Sequence, residues 1–261
     1  MTIFLHELRQ SRISIIIWTV SIAFMMGICV LIYPQMGDQM DEIGAVFAQM
    51  GGFSQAFGMD RLNFGEFLGF FSIECGNMLG LGGAFFAALC GISALSKEER
   101  EHTAEFLLTH PISRARVVTE KLLAAVTGVL ILNVVIIAVI AVTMLAVGVI
   151  ADINILALLF SAYFIMQLEI LAVTFALSAF LRRGGIGLGL GLAAIFYFLN
   201  IISNLIENTE FIKYITPFGY TEGADIISSK SIDGGYLMVG LIITAAAVCI
   251  AYIKYTKKDI A

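Results

Sequence analysis

Six apolar runs, each long enough to cross a bilayer as a helix, constrain what this chain can fold into. They cover residues 13–33, 67–95, 117–150, 155–181, 185–206 and 236–255, and about 20 apolar residues suffice for a helix to cross the hydrocarbon. In lipid each backbone N–H and C=O must be satisfied internally, so runs of this kind read as helices. The predicted fold class is all-α and integral to a membrane, a single transmembrane domain over 1–261. Charge agrees: 13% of residues are charged, against about 25% in a soluble protein. The first run is too long for the core of a cleaved leader, and Tyr33-Pro34-Gln35-Met36 offers no small-residue cleavage site.

Six spans put both termini on one side, and the positive-inside rule says which. The termini, the stretch 96–121 and the Arg182-Arg183 turn hold twelve of the fifteen Lys and Arg; the opposite side has only Arg61, Lys213 and Lys230, with eleven acids. Both termini are therefore predicted to be cytoplasmic. The outer connections are 34–66, rich in glycine, and 207–235, which still carries Phe211, Ile212, Tyr214, Ile215, Pro217 and Phe218. Met1 to Ser11 mixes Ile3, Phe4, Leu5 and Leu8 with Glu7, Arg9 and Gln10, a pattern that predicts an interfacial helix before the first span. Asp152 and Asn154 are both plausible caps for the fourth span. Cys29, Cys75, Cys90 and Cys249 fall in apolar runs without paired spacing, so they read as small buried hydrophobes.

Between the second and third spans lies the one strongly charged island, Ser96 to Lys121. Ser96 and Glu99 have the spacing of a capping box, and Pro111 stops a helix at about His110. Between them Ala104, Phe106, Leu107 and Leu108 form an apolar patch on a charged rod. A short amphipathic helix across the end of a membrane bundle reads as a docking surface, against the plainer reading of a solvated charge run.

Within the spans, Glu169 and Gln167 lie near the middle of the fourth and Asn133 at similar depth in the third. Ionisable groups at this depth face the bundle interior. Glu169 reads either as a pathway contact or as a helix-joining group bonded to Asn133 or a carbonyl. Glu74 lies nearer the outer edge of the second span and reads as a further pathway candidate or as interfacial exposure. The glycines Gly76, Gly80, Gly82 and Gly83, and those following Arg183, read as helix-packing positions.

Glu101-His102-Thr103-Ala104-Glu105-Phe106-Leu107-Leu108, then Pro111-Ile112-Ser113-Arg114 and Lys121-Leu122-Leu123, resemble the signature loop of ATP-binding-cassette exporter permeases of the ABC-2 type. That pattern runs E-x-G-T-x-E-x-L-L, then P-[IV]-S-R, then a lysine opening the third span; His102 stands here in place of the glycine. Phe57-Gly58-Met59-Asp60, Thr216-Pro217-Phe218-Gly219-Tyr220 and the basic Tyr-x-Lys-Lys-Asp ending look like the same family, so the resemblance extends over nearly the whole length. It implies a coupling helix docked on a separate ABC ATPase subunit, with Glu98, Glu101, Thr103, Glu105, Phe106, Leu107, Leu108, Pro111 and Arg114 as coupling residues. It also implies short re-entrant helices before the sixth span and a second permease copy, identical or related, in the cytoplasmic membrane. The sequence has no G-x-x-x-x-G-K-[ST] and no Gly-Lys dipeptide, so no cofactor is expected in this chain and ATP with Mg falls to the partner ATPase. Membrane lipid is an expected partner and nucleic acid is not.

Two other classes compete. An ion-gradient-driven secondary transporter would use Glu169, but the sequence lacks the internal repeat such carriers usually show. An intramembrane enzyme is poorly served. The three histidines, His6, His102 and His110, all lie outside the spans, and Thr103 stands where prenyl-protein proteases need an arginine after Glu98-Glu99. The sequence reads as a transport subunit, not an enzyme.

Overall fold

The computed structural model describes residues 2–36, 44–47, 49–97, 113–181, 185–206 and 209–258, and every regular element among them is helical. In chain order these are α1 (Thr2–Met36), the short α2 (Gly52–Ala56), α3 (Phe67–Cys75), a π-helical stretch (Gly76–Gly82) and α4 (Gly83–Ala94). Then come α5 (Arg114–Val147), α6 (Ile153–Ser178), α7 (Ile186–Leu205), the short α8 (Gly223–Ser229) and α9 (Gly234–Lys257). Six helices are long and apolar enough to cross a membrane: α1, the composite α3–π–α4, α5, α6, α7 and α9. The chain is a multi-pass, all-α membrane protein. One end of the bundle carries the first and last described residues, Thr2 and Lys258, and most of the described basic residues; the other carries the acidic connections. They are called here the basic end and the acidic end.

Helix α6 is the centre. Its sequence is apolar all round, and its neighbours α4, α5 and α9 enclose it so that Leu159, Ala162, Met166, Ile170 and Phe175 are fully or almost fully buried. Close approach of α4 depends on small residues, as expected when lipid provides no hydrophobic drive between helices. A Cβ at Gly83 would overlap the Gln167 amide, and one at Gly91 would overlap the Thr174 hydroxyl and the Leu171 carbonyl. Outward faces stay apolar and uncovered, for example Ile13, Ile17 and Phe24 on α1 and Leu130 and Val134 on α5, which suits contact with lipid.

Local signals set the helix ends. Asp152, not Asn154, caps α6 by accepting from the Asn154 N–H at 2.9 Å. Ser113 caps α5, whose far end closes on Gly148 with φ of 70°, the left-handed conformation glycine adopts without strain.

The separate interfacial helix expected over 1–11 is not seen. Residues from Thr2 onward are the first turns of an uninterrupted α1, because nothing between Ser11 and Ile13 breaks a helix. At 1.5 Å per residue α1 and α5 are each about 50 Å long, well over the ~30 Å hydrocarbon core. They pack along one another, and their surplus length carries Glu7, Arg9, Arg12, Arg114, Arg116, Glu120 and Lys121 at the basic end.

At the acidic end, 207–235 contributes a 3-10 turn at Glu210–Tyr214, another at Pro217–Tyr220 and then α8. Pro217, Phe218 and Tyr220 are buried there, in keeping with the apolar character of this connection.

Candidate functional site

Three of the clusters of polar side chains buried among the described residues tie spans of the bundle together. The first lies at the basic end, beneath the two ends of the charged island. Lys121, on the first turns of α5, is 1% exposed and donates from Nζ to Glu7 Oε1 of α1 at 3.1 Å and to the Ala94 carbonyl at 2.6 Å. Ala94 is the last residue of α4, so one ammonium joins three spans where the island begins. The preceding residue, Glu120, accepts at Oε2 from the Ile3 and Phe4 N–H groups, at 3.1 and 3.2 Å. These are backbone donors of the first turn of α1, which no intrahelical carbonyl can reach. Arg116 Nε donates to Glu120 Oε1 at 2.8 Å. Arg114 turns to the other end of the chain and donates to the Lys258 and Thr256 carbonyls at the close of α9. Lys258 Nζ in turn donates to the Leu181 carbonyl after α6. Thus α1, α4, α5, α6 and α9 are all cross-linked within a few residues of the island.

The second group is at mid-bundle. Asn133 Nδ2 donates to Gln167 Oε1 at 2.6 Å, and Gln167 Nε2 donates to the Leu79 carbonyl at 3.3 Å. Leu79 lies in the π-helical stretch of the second span. The third group is nearer the acidic end, where Tyr220 donates to Glu169 Oε2 at 2.9 Å. Both residues are almost wholly buried. Gly240 of α9 passes so close that a Cβ there would overlap the Glu169 carboxyl and touch the Tyr220 ring. Burial, and then the Glu169 carboxyl beside it, push the Tyr220 phenol's pKa up, so it holds its proton and donates.

Set against the sequence, Glu98, Glu101, Thr103, Glu105, Phe106, Leu107, Leu108 and Pro111 lie outside the described residues. Arg114 is described, and its guanidinium is engaged with carbonyls of this same chain. Ser96, read as half of a capping box, instead donates back to the Ile92 carbonyl at 2.8 Å; Glu99 is outside the described residues. Asn133 and Gln167 come together, whereas Glu169 bonds neither of them and pairs with Tyr220. Glu74 is half-buried and has the Cys29 thiol at 3.9 Å. Glu120 is the polar partner that sequence reasoning passed over; Glu7 had entered only in the mixed pattern before the first span, and Lys121 and Tyr220 only as motif positions. Two charges at the head of a run as apolar as 117–150 were the available signal.

A model of the family described as ABC-2 family transporter protein matches residues 1–260. No curated protein matches the chain.

Proposed function

The chain belongs to the ABC-2 family of transporter proteins, and from that premise we propose that it is the permease subunit of an ATP-driven exporter. It works in the cytoplasmic membrane with both termini inside. A separate ABC ATPase holds ATP and Mg and docks on the island between the second and third spans, and a second permease copy completes the pathway. The observation that carries this reading is the node at Lys121. The island leaves the bundle at Ala94 and re-enters at Arg114, and Lys121 ties the Ala94 carbonyl to Glu7 of α1. A push on the island would therefore reach α1, α4 and α5 as one unit. The pairing of Glu169 with Tyr220 and of Asn133 with Gln167 supports a helix-joining role for these groups over a continuous ion path.

Pull-down of the tagged chain from its native membranes is expected to bring down an ABC ATPase in an amount comparable to the permease. ATP hydrolysis in the eluate should follow the permease through size-exclusion chromatography. A permease that purifies without any ATPase would contradict the proposal.

A further inference from the structure

Near the acidic end, α3 and the π-helical stretch, α6, α7 and the connection before α9 surround a cavity of about 60 Å³. A single water site needs about 10–15 Å³ of such space, so the cavity has room for a group of a few heavy atoms. Its polar wall is made by Asn77, Tyr163, Tyr197, Asn200, Asn204 and Glu222. Four of these have hydrogen-bonding capacity to spare, Tyr197 among them, whose hydroxyl has no hydrogen-bond partner among the described residues. Tyr163 is 3% exposed, and its hydroxyl has no hydrogen-bond partner among the described residues; the Asn77 side chain has none either. Asn200 Oδ1 is buried without a partner. Leaving that buried oxygen unpaired costs about 1–3 kcal/mol, and the convergence of these groups on one space is the mark of a site awaiting a ligand.

The charge in the wall is already answered. Glu222 accepts from Asn204 Nδ2 at 3.2 Å and lies 3.7 Å from the Arg61 guanidinium, which also reaches Asp225 at 2.5 Å. Asn204 Nδ2 further donates to the Ala56 carbonyl at 3.3 Å, so the segment containing α2 is pinned over the cavity. Asn77 belongs to the π-helical stretch, a winding often found where a helix borders a functional site.

We propose that this cavity binds an uncharged amide- or hydroxyl-bearing group, with Tyr163, Asn77 and Asn200 as its hydrogen-bonding partners. On the export reading above, on which this assignment of the ligand rests, the group is a polar part of the exported substrate, held near the outer face before release.

The test uses the full chain in its own membranes and needs no ATPase, so its failure would leave the coupling proposal standing. Asn200→Cys is alkylated from the outer side with iodoacetamide, iodoacetate and 2-bromoethylammonium, and modification is read at that site by peptide mass spectrometry. Each rate is divided by the rate at Ser228→Cys, an exposed position at the same end. The amide reagent is expected to exceed both charged reagents by about tenfold, because each charge would be desolvated without a counter-charge. Tyr163→Phe should cut that advantage by about threefold or more, through loss of one hydrogen bond. Asn77→Cys repeats the measurement from the second span if Asn200→Cys does not insert. Equal relative rates would mean an open, water-filled recess and would overturn the proposal. So would fastest reaction of the ammonium reagent, which would make Glu222 a free charge, or no reaction with any reagent.

Discussion

Lys121→Met is expected to destabilise the folded chain by about 3–5 kcal/mol, the usual cost of removing one member of a buried ion pair. The side chain is 1% exposed and serves a carboxylate and a carbonyl on two other spans. Its loss leaves Glu7 without that cation and the last carbonyl of α4 without that donor. Lys121→Arg should not rescue fully, because a planar fork cannot replace a compact ammonium in a closed site. The double change Glu7→Leu with Lys121→Met should cost clearly less than the sum of the singles, since neither charge is then stranded. Thermal unfolding in one detergent compares the wild-type chain, the single variants Lys121→Met, Lys121→Arg and Glu7→Leu, and the double variant. A loss under about 1 kcal/mol for Lys121→Met, in the range of an exposed surface pair, would show that the node does not hold the spans together.

Tyr220→Phe should cost about 1.5–3 kcal/mol, the range for a hydrogen bond made to a carboxylate. The phenol donates to Glu169 at 2.9 Å, and Gly240 leaves no room for another side chain to take its place. Glu169→Gln keeps an acceptor at the same reach and should lose much less. Glu169→Leu combined with Tyr220→Phe should again fall short of additivity, because the two residues form one contact. If Tyr220→Phe is silent and Glu169→Leu alone is costly, the carboxyl acts through something other than this pair, and the pathway reading of Glu169 gains.

The fold class was legible because lipid imposes few solutions. Runs as long and apolar as 117–150 or 155–181 can only be helices, and the charge partition decides which helix ends lie together. The first turns of α1 were misread because the mixed pattern of Ile3, Leu5, Glu7 and Arg9 suits an interfacial helix as well as a spanning helix that overshoots the membrane. The uninterrupted helix Thr2–Met36, with the backbone bonds from Ile3 and Phe4 to Glu120, separates the two. Depth alone grouped Glu169 with Asn133, but depth does not fix rotation about the helix axis. Gln167 and Glu169 are two residues apart, which turns them about 200° from each other on an α-helix. One therefore meets α5 and the second span while the other meets Tyr220 and α9. The cavity near Tyr163 was invisible in the sequence because its wall is drawn from five separate parts of the chain.

The central claim is that the island between the second and third spans is where an ATPase takes hold. Its most direct test compares ATPase recovery with the wild-type chain, with Glu105→Lys and with the double change Phe106→Ala/Leu107→Ala, at equal membrane insertion. Both variants are expected to insert normally and to lose most of the bound ATPase. Full retention of the ATPase by both variants would contradict the claim.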